Sequence, residues 1–137
     1  MCLDEQTSKS ESTKVNIPNK KPGVILVVED EFLIRVDAVE MIREAGFDAI
    51  EAADADEAIS ILEKRDDIAA VFTDIQMPGS MDGLKLASAI RGRWPPIKIV
   101  ATSGNVSVQL KDLPDGGRFL PKPYTRAQIV AAIAQAA

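Results

Sequence analysis

From residue 24 onward the apolar positions alternate between two textures. "VILVV" at 24–28 is an unbroken aliphatic run, as expected of a strand buried on both faces. Phe32, Val36, Val39 and Ile42 then recur at helical spacing, and Gly46 supplies a left-handed stop. "FDAIEA" at 47–52 predicts a second strand. Asp54 and Glu57 form a capping-box-like pair opening a helix to about residue 65. "AAVFT" at 69–73 predicts a third strand. Asp82 can cap a helix running to residue 93, with Leu84, Ala87 and Ile90 on its inner face. "IKIVATS" at 97–103 predicts a fourth strand, and 105–112 carries at most a short, weakly patterned helix. "GRFLPKP" at 117–123 holds a fifth strand. Thr125 and Gln128 then make a second capping-box pattern, ahead of a helix that turns Ile129 and Ile133 inward.

Strands alternating with helices imply right-handed crossovers and a parallel sheet between helical layers. Five such units over residues 24–137 fit an α/β doubly wound, three-layer sandwich with a five-stranded parallel sheet. The flavodoxin-like strand order 2-1-3-4-5 is taken by analogy, because periodicity carries no strand order. Residues 1–22 are rich in Ser, Thr, Lys, Glu and Asn, with few apolar positions. They are expected to form a flexible tail, since so little apolar surface does not offset the entropy of ordering. Pro22-Gly23 marks the boundary with a single domain at 23–137.

Composition narrows the function classes. The net charge of -5 argues against direct nucleic-acid binding, which needs a basic surface. The lone cysteine, Cys2, excludes an intramolecular disulfide and a cysteine-based zinc site. The chain has no histidine, so a Ser-His-Asp triad and a histidine metal site are excluded, and any phosphohistidine must lie elsewhere. No apolar run is long enough to insert in a membrane, and the N-terminus lacks an apolar signal core. The expected location is cytoplasmic.

In an open parallel sheet, ligands bind beyond the C-terminal strand ends, near the point where the order reverses. The first strand exits into Glu29, Asp30 and Glu31, the third into Asp74, the fourth at Thr102 and Ser103, and the fifth into Lys122. Each has a structural explanation on its own: acidic residues favour helix N-termini, and an Asp before Met-Pro-Gly is a turn former. Together they gather carboxylates, a hydroxyl and an ammonium at one sheet edge. Two carboxylates about 4 Å apart repel by roughly 4 kcal/mol at an effective dielectric near 20. A hard divalent cation relieves that repulsion, and few oxygen ligands with room for water suit Mg²⁺. A carboxylate beside such an ion can attack a phosphoryl group, with lysine and threonine stabilising the phosphoryl oxygens.

"VILVVEDE", "VFTDIQMPGSMDG", "ATSG" and "FLPKPY" resemble, in order, the motifs of the response-regulator receiver domain of two-component signalling, over residues 24–137. By matching motif position the resemblance implies Asp74 as phosphoacceptor. It implies Asp30 as a direct Mg²⁺ ligand, Glu29 acting on the metal or its waters, and the backbone carbonyl of Gln76 as a further ligand. Thr102 would bind a phosphoryl oxygen and Lys122 would pair with the phosphoryl group. Phe119 takes the place of the switch aromatic, and the Lys122-Pro123 bond is expected to be cis. The phosphate would come from a sensor histidine kinase or a histidine phosphotransfer protein. Phosphorylation would change the affinity of an exposed face for a downstream protein.

This sequence departs from the family pattern at three places. Ser80 and Met81 add one residue between Met-Pro-Gly and Asp-Gly, the 105–112 region is short, and the side chains at Gln76 and Gly104 stand where phosphate lifetime is tuned. The expected function is that of a stand-alone phospho-accepting receiver that is not an enzyme beyond assisting its own phosphotransfer and dephosphorylation. One alternative is a degenerate receiver that binds proteins without phosphorylation. The other is an Asp-nucleophile phosphatase, which Gln76 opposes by occupying the position of the second aspartate in Asp-x-Asp.

Overall fold

The computed structural model describes residues 23–77, 81–104, 113–114 and 116–136. In chain order the elements are β1 (Val24–Val28), α1 (Phe32–Glu44), β2 (Asp48–Ala52), α2 (Ala55–Lys64), β3 (Ile68–Asp74), α3 (Gly83–Arg93), β4 (Lys98–Ser103), β5 (Arg118–Pro121) and α4 (Arg126–Ala136). The strands form one sheet in the order β2-β1-β3-β4-β5, with every neighbouring pair parallel. This is the flavodoxin-like doubly wound arrangement expected from the alternation. The expected tail at 1–22, the helix at 105–112 and Ser80 of the inserted pair lie outside the described residues.

Strand alternation divides the core into two layers. Leu26, Val28, Val71 and Ile99 face α2 and α3, where Ala58, Leu62, Leu86, Ala87 and Ile90 meet them. Ile25, Val27, Phe72 and Val100 face α1 and α4, against Val39, Ile42, Ile129 and Ile133. Fully burying each large aliphatic side chain stabilises the fold by about 1.5–3 kcal/mol. β1 is apolar at every position because both its faces are covered.

The helix ends follow the sequence signals. Asp54 Oδ1 accepts from the Glu57 N–H at 2.8 Å, while Glu57 Oε1 accepts from the Ala53 N–H at 2.7 Å. Asp82 caps α3 through the Lys85 N–H at 2.9 Å. Thr125 and Gln128 form a reciprocal capping box, at 2.8 and 3.1 Å. Gly46 adopts φ +100°, ending α1 in the left-handed region.

Two helix faces are drawn more finely than the spacing alone allows. Phe32 is 62% exposed and Leu33 78%, so the apolar stripe of α1 begins a turn later, with Ala38, Val39 and Ile42 buried. α1 starts four residues after the last residue of β1, so its first turn lies past the end of that strand. On α3, Leu86 is buried with Ala87 and Ile90, whereas Leu84 is half-buried against Ile75, Ala101 and Leu113.

Candidate functional site

Register builds the site. Val27 pairs with Phe72, and Phe72 with Val100. Two residues further on, on the same face by strand alternation, stand Glu29, Asp74 and Thr102, with Asp74 paired directly to Thr102. Thr102 also pairs with Leu120 of β5, so Lys122 follows one step beyond that row. The Lys122 N–H donates to the Ser103 carbonyl at 3.0 Å, and the Lys122-Pro123 peptide bond is cis.

The structure brings the candidate charges together. Lys122 Nζ donates to Asp74 Oδ2 and to Glu29 Oε1, both at 3.2 Å. Asp74 Oδ1 accepts from the Gln76 N–H at 3.2 Å, and Glu29 Oε2 from the Glu31 N–H at 3.1 Å. Asp74 is only 5% exposed and Glu29 only 4%, while Asp30 and Gln76 are exposed. One carboxylate oxygen from each of Glu29, Asp30 and Asp74 lies within 4.8 Å of the others. Among the described residues, Thr102 Oγ1 is buried with no hydrogen-bond partner. An unsatisfied buried hydroxyl costs about 1–3 kcal/mol, which a ligand accepting from it would recover. Phe119, half-buried on β5, packs against Ile75, Ala101 and Leu113.

Electrostatics match this geometry. Burial pushes the Glu29 carboxyl above the ordinary glutamate value; the Glu31 N–H draws it back, the Asp74 charge adds to the rise, and Lys122 opposes it without cancelling it. Burial disfavours the Lys122 ammonium, yet the Asp74 and Glu29 carboxylates outweigh it and hold the pKa above the ordinary lysine value. Tyr124 meets the Phe72 ring edge-on at 5.6 Å. Its phenol is pushed up to about 12, chiefly by burial and then by the charges of Glu29, Asp37 and Asp74. The donor set of three carboxylates against one shared ammonium is hard, oxygen-only and short of positive charge, and it fits Mg²⁺.

Two contributors were not found from the sequence. Arg35 Nη1 donates to the Glu29 carbonyl at 2.8 Å, from one turn into α1. The Gly83 N–H donates to the Ile75 carbonyl at 2.8 Å, drawing the start of α3 onto the end of β3. The Asp-Gly pair read as a cap and helix start, and gave no sign of what lay opposite the glycine.

A family model described as the response regulator receiver domain matches residues 25–134. The chain is similar to the transcriptional regulatory protein PdtaR of Mycobacterium tuberculosis, at 34% identity over 116 residues, covering 82% of this chain and 55% of that protein. It is also similar to the sensor kinase CckA of Brucella abortus, at 32% identity over 115 residues, covering 81% of this chain and 12% of that protein. The chain therefore spans only part of the length of these curated relatives. Among solved structures, a response regulator receiver protein from Sinorhizobium medicae superposes with a TM-score of 0.76 at 30% identity, covering 84% of this chain and 94% of that one. Because the family match runs from β1 into α4 and takes in every element that builds the acidic edge, the chain belongs to the response-regulator receiver domains.

Proposed function

We propose that Asp74 accepts a phosphoryl group, with Mg²⁺ bound beside it, from a histidine kinase or a histidine phosphotransfer protein, and that this switches a protein-interaction face. Receiver domains are signalling phosphoacceptors of two-component systems and bind Mg²⁺ at an acidic pocket. The observation that carries the assignment to Asp74 is its position. It is a buried carboxylate at the end of a central strand, 3.2 Å from an ammonium and grouped with Glu29 and Asp30.

In the proposed reaction a carboxylate oxygen of Asp74 attacks the phosphorus of a phosphohistidine. The P–N bond breaks as the P–O bond forms, the imidazole nitrogen leaves with the electron pair, and Asp74 becomes an acyl phosphate. The donor histidine lies outside this sequence, which has none. Glu29, Asp30, Asp74 and the backbone carbonyl of Gln76 would hold Mg²⁺, which when bound neutralises charge on the phosphoryl oxygens. Lys122 supplies a second positive charge from just beyond β5, at the same edge of the sheet, and orients the acceptor before transfer. The Thr102 hydroxyl, buried without a partner among the described residues, donates to a phosphoryl oxygen of the product. Ala101 is paired with Phe119, so a shift of β4 toward the phosphoryl group opens space beside that ring. Phe119 turns into it, changing the face that a downstream protein meets.

The test is incubation with Mg²⁺ and a small acyl phosphate, followed by intact mass measurement. The expected product carries one phosphoryl group, depends on Mg²⁺, and does not form in Asp74→Asn. Wild type that stays unmodified, or Asp74→Asn that labels equally, overturns the proposal and favours a phosphorylation-independent binding module.

A further inference from the structure

We propose that Arg35 is a positioning residue that sets the acidic β1–α1 turn in its metal-binding geometry, an inference that rests on reading Glu29 and Asp30 as Mg²⁺ ligands. The turn is three residues long, Glu29 to Glu31, between the end of β1 and the start of α1. The buried Glu29 side chain is fixed by Lys122 and by the Glu31 N–H. Asp30 differs: it is exposed, and its carboxylate makes no hydrogen bond or ion pair with another described residue. Among the described residues, the placement of Asp30 therefore comes from its backbone, and in particular from the Glu29–Asp30 peptide unit.

Arg35 grips that unit. Its Nη1 donates to the Glu29 carbonyl at 2.8 Å, and its Nε donates to Glu51 Oε1 at 2.9 Å. Glu51 belongs to β2, the strand that pairs with β1, and the Glu29 N–H itself donates to the β2 carbonyl of Ala52 at 3.1 Å. The guanidinium also lies over the Phe32 ring, 5.4 Å from its centroid, and the Arg35 side chain is only 14% exposed. The planar fork thus ties the peptide carrying Asp30 to a rigid sheet edge, and the ring of Phe32 restricts the fork's own motion. This also gives the exposed Phe32 a role that core packing does not.

Positioning and simple electrostatics predict opposite signs, which makes the idea testable. Arg35 is a cation near a cation site. If charge alone mattered, removing it would tighten Mg²⁺ binding, the more so because Glu51 would be left without its partner. If Arg35 holds the turn, removing it loosens Asp30 and weakens binding. Outer partners of metal ligands typically contribute about 10–100-fold in affinity, and the backbone route here points to the lower end, roughly tenfold.

The experiment is calorimetric Mg²⁺ titration of the full chain as wild type, Asp30→Ala, Arg35→Ala, Arg35→Lys and Glu51→Gln, with circular dichroism to verify folding. Arg35→Ala is expected to weaken Mg²⁺ by about tenfold. Arg35→Lys is expected to recover part of this, since a single ammonium reaches the carbonyl without reproducing the fork. Glu51→Gln is expected to weaken binding less than Arg35→Ala. Labelling of Arg35→Ala by an acyl phosphate should return to the wild-type rate at saturating Mg²⁺, which separates positioning from direct contact with the phosphoryl group. Equal or tighter Mg²⁺ binding by Arg35→Ala, with Asp30→Ala impaired, overturns this inference and leaves the site reading intact. Wild type that binds no Mg²⁺, or Asp30→Ala that binds as well as wild type, overturns the site reading itself. Should Arg35→Ala not fold, wild-type affinity in both Arg35→Lys and Glu51→Gln overturns the inference.

Discussion

Gly83 sits directly against the backbone of Asp74: a Cβ built at Gly83 would stand 2.1 Å from the Asp74 carbonyl oxygen and 2.6 Å from the Ile75 Cα. Both atoms are main chain at the end of the central strand, so no flexible side chain can yield. Gly83→Ala must separate α3 from β3 or shift the Asp74–Ile75 peptide. We expect a loss of about 1–3 kcal/mol, as for overpacked cores, read as a lower urea midpoint. Acyl phosphate labelling should fall by more than the folded fraction does. Wild-type labelling in the folded variant would mean that the proposed role of Asp74 tolerates displacement of its backbone.

Thr102→Val should move stability and reactivity in opposite directions. It keeps the shape and removes a buried hydroxyl without a partner among the described residues. Stability is expected to stay level or rise by about 1 kcal/mol, while the phosphorylated form is formed more slowly or lost sooner. Denaturant unfolding beside a phosphorylation time course checks both. A clear drop in stability would show that the hydroxyl has a partner in the resting protein.

Tyr124 is the only tyrosine, so absorbance of its phenolate reports it directly. Its pKa is pushed up to about 12, first by burial and then by nearby carboxylates. The unfolded chain ionises near the ordinary value of about 10. A raised folded value favours the neutral phenol, so this contribution to stability is complete below pH of about 10 and declines as pH rises toward about 12. A pH titration of the native chain should show little phenolate at pH of about 10.5, where the denatured chain is largely ionised. Coincident curves would contradict the burial.

Leu33 and Leu86 should respond in contrast. Leu33 is 78% exposed, so Leu33→Ser should alter stability by no more than about 0.5 kcal/mol. Leu86 is fully buried between α3 and the sheet, so Leu86→Ala should cost about 2–5 kcal/mol. Urea midpoints of the two variants decide this. A large loss at Leu33 would indicate that its surface is covered in solution.

The contrast between these two leucines shows what is legible in the pattern. Apolar runs revealed β1, β3 and β4 because strands covered on both faces are apolar through their middle, with the polar residues of β3 and β4 confined to their ends, and capping pairs at Asp54 and Thr125 revealed helix starts because the bonds are local. Glu29, Asp74, Thr102 and Lys122 could be read because the rule that sites gather at strand ends needs only the element boundaries. Phe32 shares the spacing of Val39 and Ile42 yet is exposed, because periodicity does not report where the core beneath a helix begins. Arg35 and Gly83 depend on contacts between segments, Glu51 in one case and the Asp74 carbonyl in the other, and residue spacing does not encode such contacts.

The row formed by Glu29, Asp74 and Thr102 also acts as a check on strand alignment. Side chains alternate across a sheet, so a slip of β3 by one residue would put Thr73 in the row and send Asp74 to the opposite face. Lys122 would then face Glu29 alone, and a carboxylate would lie on the α2–α3 side, among apolar groups. Misaligned sheets are thus penalised by the same charges that the aligned sheet gathers at its edge, so the carboxylates that group Glu29 with Asp74 also help to select the register.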